Sequence, residues 1–110
     1  MTANQQQQLI GQAQLYQQQM QGILAHKEAL NMQLVEIDNA LEEIEKSKSG
    51  EVYKISGPLL IKAEKTAVEK ELKEKRELID VKAKTMEKSE HKIKAKVDEL
   101  REQLAKTGGS

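Results

Sequence analysis

The 110-residue chain contains no cysteine, no phenylalanine and no tryptophan, with one proline and two tyrosines. Without cysteine there is neither a disulfide framework nor a thiolate metal site. With aromatics at 2% of residues, a thick globular core is out of reach, because aromatic side chains supply much of the buried area in such cores. An excess charge of either sign is missing too: 18 Lys and Arg face 18 Asp and Glu. That balance offers no electrostatic pull for nucleic acid or for an anionic membrane surface. No apolar run approaches the roughly 18 residues of a membrane span. The opening MTANQQQQ lacks the basic and apolar regions of a secretory signal. The expectation is a cytoplasmic protein with no membrane and no nucleic-acid partner.

What is present is a sparse but ordered apolar set. Leu9, Ala13, Tyr16, Met20, Ile23, Lys27, Leu30, Leu34, Ile37, Leu41 and Ile44 follow one another at alternating spacings of four and three, with Lys27 the one non-apolar member. This is a heptad seam, in which few apolar residues suffice because they all face one partner helix. It predicts a helix over about 5–47, roughly 60 Å long. Gly50 reads as a helix-ending C′ residue, with Lys46 and Lys48 beside the negative end of the dipole. A second seam runs Val68, Leu72, Lys75, Ile79, Lys82, Met86, Glu90, Ile93, Val97, Leu100 and Leu104. It predicts a helix over about 64–106, with Thr66 and Glu69 as a capping box. The steps Lys82, Met86, Glu90 are both four, a stutter that locally unwinds a supercoil. The remaining stretch 107–110 reads as a flexible tail.

Between the two periodic segments lies VYKISGPLLIK, residues 52–62. Two runs of strand formers flank Ser56-Gly57-Pro58, where Gly57 tolerates a positive φ and Pro58 breaks any helix. A β-hairpin over about 51–62 follows. The predicted fold is mostly α: a long antiparallel two-helix coiled coil with one short β-hairpin between the helices. In that pairing Ile44 lies near Val68 and Leu9 near Leu104. A lone two-stranded hairpin is marginal, and this one carries apolar side chains on both faces and two open edges. Val52, Tyr53, Ile55, Leu59, Leu60 and Ile61 are therefore the expected oligomer interface.

Catalytic and metal chemistry finds no support. His26 and His91 have no His or Cys three or four residues on, so neither is read as a metal ligand. The acidic residues alternate with lysines, as on a solvated helix face. No phosphate-binding loop or nucleophile motif occurs. The expectation is no enzyme and no cofactor.

The residues V-Y-K-x-x-G-P-x-L-x-K over 52–62, AVEKELKEKRELI over 67–79, the LIGQAQLYQQQMQ opening and the NALEEIEK end of the first helix together resemble the beta-type subunit of prefoldin, in an archaeal-like form. The single hairpin fits the beta type, since alpha-type subunits carry a double one. The resemblance implies a single prefoldin-like domain over 1–110 and a hexamer with alpha-type subunits and further copies of this chain, joined through their hairpins. It also implies a chaperone that holds unfolded polypeptides at its coiled-coil tips and passes them to a group II chaperonin without ATP. The tip residues it points to here are Leu9, Ile10, Ala13, Leu15, Tyr16, Ile93, Val97, Leu100 and Leu104. Ile10 and Leu15 lie off the seam and are the better candidates for exposed contact. The competing expectation is a structural coiled-coil spacer or filament subunit that assembles through the same hairpin.

Overall fold

The computed structural model describes residues 2–108. Helix α1 (Ala3–Lys46) leads into strand β1 (Glu51–Ser56), strand β2 (Leu59–Glu64) and helix α2 (Lys65–Gly108). Two long helices with an antiparallel hairpin between them are the predicted elements. The boundaries differ in ways that side-chain chemistry explains.

Helix α1 starts earlier than its apolar seam. The Thr2 hydroxyl accepts from the Gln5 backbone N–H at 3.2 Å, and the Gln5 side chain accepts from the Thr2 N–H at 2.9 Å. This T-x-x-Q pair is a capping box that satisfies two orphan donors reciprocally. At the other end Gly50 is not the C′ residue that was expected. The helix stops at Lys46, and the Ser47 N–H closes a last tight turn on the Ile44 carbonyl at 3.1 Å. The Lys65 ammonium then donates to the Ser47 carbonyl at 2.9 Å. A lysine from the start of α2 thus serves the carbonyl end of α1, where a cation is favoured.

Helix α2 begins at Lys65, whose N–H donates to the Gly50 carbonyl at 2.9 Å. Thr66 therefore lies inside the first turn and does not cap it, contrary to the sequence expectation. The predicted tail is also shorter: residues 107 and 108 are helical, and 109–110 lie outside the described residues.

Packing divides the chain into two compact units. The terminal unit comprises Met1–Glu28 and Lys84–Ser110, and the hairpin unit comprises Ala29–Ala83. Within each, α1 and α2 run antiparallel. In the terminal unit Lys27 reaches Glu90 at 3.0 Å, and the Lys96 ammonium stands 5.7 Å from the Tyr16 ring centre. In the hairpin unit Arg76 grips Asp38 at 2.6 Å. The buried core is Leu30, Ile37 and Ile79 in the hairpin unit and Leu100 in the terminal unit, each 4–6% exposed. Every α1 seam position predicted from spacing is buried or half-buried.

The α2 seam needs correction. Lys75 and Lys82 are exposed, whereas Ala83 is half-buried. From Ile79 the buried or half-buried seam positions run 83, 86, 90, 93, 97, 100 and 104, an unbroken alternation of four and three. The expected stutter at 82–86–90 is therefore absent. The extra residue is taken up near Ile79, because Ala costs nothing to bury while a lysine there would lose its hydration. Among the described residues no helix is long and apolar enough to cross a membrane.

Candidate interaction surfaces

The strands pair Val52 with Ala63, Tyr53 with Lys62, Lys54 with Ile61 and Ile55 with Leu60. The two residues between them are Gly57, at φ 58°, and Pro58. A positive φ followed by a proline, whose ring holds φ negative, is the signature of a type II′ turn. That turn matches the right-handed twist of the strands, so the register is set locally.

Residues opposite each other share a face. One face carries Val52 and Ala63, both half-buried, with Ile61 and Leu59 nearer the turn. Lys54, on this face, donates to Glu71 of α2 at 3.0 and 3.1 Å, so this is the side turned toward the helices. The other face carries Tyr53, Ile55 and Leu60, which are 66%, 78% and 65% exposed. A Lys62–Glu51 ion pair at 2.8 Å borders them. Leu59 and Ile61 are also exposed. Of the six expected interface residues, Val52 is half-buried and Ile61 is 44% exposed. The other four present apolar surface that is mostly uncovered among the described residues.

The expected tip residues separate by exposure. Leu100 is buried, and Leu9, Ala13, Tyr16, Ile93, Val97 and Leu104 are half-buried along the seam. Ile10 and Leu15 are 48% and 52% exposed. Spacing had distinguished these two because they fall outside the heptad positions. Leu24 is a third exposed apolar side chain of the terminal unit that the sequence reading missed; it too lies off the seam.

Two charged seam positions, one from each helix, meet. Lys27 hydrogen-bonds Glu90 at 3.0 Å and stands 3.8 Å from Glu87. The hydrogen bond to Glu90 is the main reason the Lys27 ammonium titrates above its ordinary value, with partial burial opposing. The same bond holds the Glu90 carboxyl below its ordinary value. In the hairpin unit the Arg76 guanidinium lies fork-to-fork on Asp38, at 2.6 and 3.4 Å, and its hydrogen bonding lowers the Asp38 carboxyl. Glu71 and Glu90 each have a lysine four residues on, Lys75 and Lys94. They turn instead to Lys54 and Lys27, partners far away in sequence.

These surfaces hold no enclosed polar pocket, and among the described residues no three His, Cys, Asp or Glu side chains converge as a metal site would require. What they offer is apolar contact area, and Met32, Val35, Leu78 and Val81 on the helices of the hairpin unit are exposed as well. Comparison with known proteins shows the family. A family model described as "Prefoldin subunit" matches residues 7–110. The prefoldin subunit beta of Thermococcus onnurineus is 40% identical over 97 residues, covering 87% of this chain and 84% of the relative. That of Pyrococcus furiosus is 38% identical, covering 87% and 83%. The crystal structure of the prefoldin beta subunit from Thermococcus strain KS-1 superposes with a TM-score of 0.88 at 36% identity, covering 94% of this chain and 91% of that one. With the family model running from the first seam residues to the last residue, and beta subunits alike in sequence and in fold, the chain belongs to the prefoldin family of chaperone subunits.

Proposed function

We propose that this chain is a beta-type subunit of a cytoplasmic prefoldin hetero-oligomer, joined by its hairpin to alpha-type subunits and to further copies of itself. The assembly holds unfolded polypeptides at the ends of its coiled-coil arms, prevents their aggregation and hands them to a group II chaperonin without ATP. The observation that carries this reading is that both the hairpin and the start of α1 carry exposed apolar side chains. Tyr53, Ile55 and Leu60 occupy one side of the hairpin, and Ile10 and Leu15 lie on the first turns of α1. The first surface suits a strand-to-strand contact, because its residues stand beside unpaired backbone edges. The second is small and lacks any pocket, which suits weak contact with many sequences over one tight complex.

Removal of residues 1–12 and 98–110 tests the reading. The truncated protein is expected to keep its native mass with an alpha-type partner and to lose suppression of light scattering by a denatured client. Full retention of that suppression refutes holding at the tips. The alternative, a structural spacer or filament subunit, is supported by the same exposed hairpin. It predicts a native mass that grows without limit with concentration and no effect on client scattering even for the intact chain.

A further inference from the structure

A groove of ≈ 530 Å³ lies in the terminal unit, with Ile23, Met86 and Ile93 along its floor. Gly22 lines it, and a Cβ there would meet nothing within 4 Å, so a larger side chain at this position has room to enter. Its rim is Lys92, Lys96 and His26, with no acidic residue lining it. Among the described residues neither Lys92 nor Lys96 takes part in an ion pair. Lys96 is positioned by its contact with the Tyr16 ring. Helix α1 contributes no Asp, Glu, Lys or Arg before Lys27, so nothing on that wall offsets the two ammonium groups. Glu99 comes near only beyond the end of the groove, beside Lys96 and Leu100. A second groove of the same unit, along Met20 and Val97, is lined by both signs: Glu90 and Asp98 with Lys94 and Arg101. Charge is thus sorted between two grooves in a chain that is neutral as a whole.

We propose that the groove at Gly22 docks an acidic segment of another polypeptide, with an apolar side chain on Ile23, Met86 and Ile93 and carboxylates on Lys92 and Lys96. The two lysines are one helical turn apart, about 6 Å along the axis. That matches alternate residues of an extended segment, about 7 Å apart. Association through such a rim is attractive to acids, repulsive to lysine-rich segments and weakened by salt. The site is distinct from Ile10 and Leu15 and does not require that they hold clients.

The test is fluorescence anisotropy of the full-length chain, assembled with its alpha-type partner, against three short labelled peptides alternating Leu with Glu, with Lys or with Gln. The Glu peptide is expected to bind about tenfold more tightly than the Lys peptide, as two exposed charge contacts allow, and to weaken as salt is raised. Lys92→Glu with Lys96→Glu should abolish that preference. Gly22→Leu should block the groove while favouring the helix, so loss of binding there is not loss of fold. Equal binding of all three peptides overturns the proposal, as does a preference that survives the double variant. Binding lost in Ile10→Ser with Leu15→Ser assigns the peptide to the arm tip and also overturns it. Client light scattering measured on the same samples separates this outcome from failure of the chaperone reading, since the proposal can fail while scattering is still suppressed.

Discussion

The helical seam and the hairpin treat similar residues in opposite ways. Leu30, Ile37, Ile79 and Leu100 are buried within the chain, while Ile55 and Leu60 are 78% and 65% exposed. The seam can bury itself because each apolar residue finds another on the antiparallel helix of its own unit. The hairpin has two strands, and one face of them has no helix to meet. Apolar surface and open backbone edges together make it the part of the monomer left unsatisfied. The difference teaches that the chain folds through one surface and leaves another exposed, the one proposed for association.

The largest effect should come from charging the exposed face of the hairpin. Ile55→Glu with Leu60→Glu is expected to reduce the native mass to that of a monomer in ultracentrifugation and to leave helical circular dichroism in place. An assembly unchanged in mass would break the contrast between the two regions. An intermediate effect separates seam from surface within the terminal unit. Leu100→Ala should destabilise urea unfolding by about 2–3 kcal/mol, as for a buried leucine. Leu15→Ser should change it by about 0.5 kcal/mol or less while weakening client holding. Equal destabilisation by both would place Leu15 in the seam and remove it from the candidate surface.

The smallest effect is on pH dependence. The Asp38 and Glu90 carboxyls lie below their ordinary values, first because of hydrogen bonds from Arg76 and Lys27. A carboxylate whose folded value is depressed stabilises the fold above its unfolded value. That contribution is lost as the pH falls through the folded one. Lys27 and Arg76 are shifted upward from already high values, so their contributions hold throughout the neutral range and fade only in strong alkali. Melting temperature should therefore be flat near neutrality and fall below about pH 4. Asp38→Asn and Glu90→Gln should each make that acid limb shallower. Acid limbs superimposable on the parent would show that these pairs contribute nothing.

Most of the fold was legible because its signals are local. The α1 seam needs only the helical period, and the hairpin needs only strand formers around Gly57 and Pro58. The candidate surfaces were legible in part. Ile10 and Leu15 fell outside the heptad by counting, and Tyr53, Ile55 and Leu60 stood out in a chain otherwise short of such runs. Position alone could not tell that Val52 turns toward the helices, because an alternating pattern does not say which face meets them. The cap at Thr2 and Gln5 was present as a motif but hidden within a glutamine-rich opening. The T-x-x-E at Thr66 looked equally good and was not used, since the helix already starts at Lys65 and Thr66 lies inside its first turn.

The sequence by itself determined two long helices and a hairpin turning at Ser56-Gly57-Pro58. Each rests on spacing or residue type within a short window, where helix period and allowed φ values leave few choices. Only the tertiary structure decided which charged seam residues are enclosed. Lys27 and Glu90 meet because the register of the two helices brings them together across 63 residues of chain. Lys75 and Lys82 turn outward, with Ala83 inside. A lysine at a heptad position can do either, since its flexible stem can reach a carboxylate or solvent. The choice depends on what stands opposite.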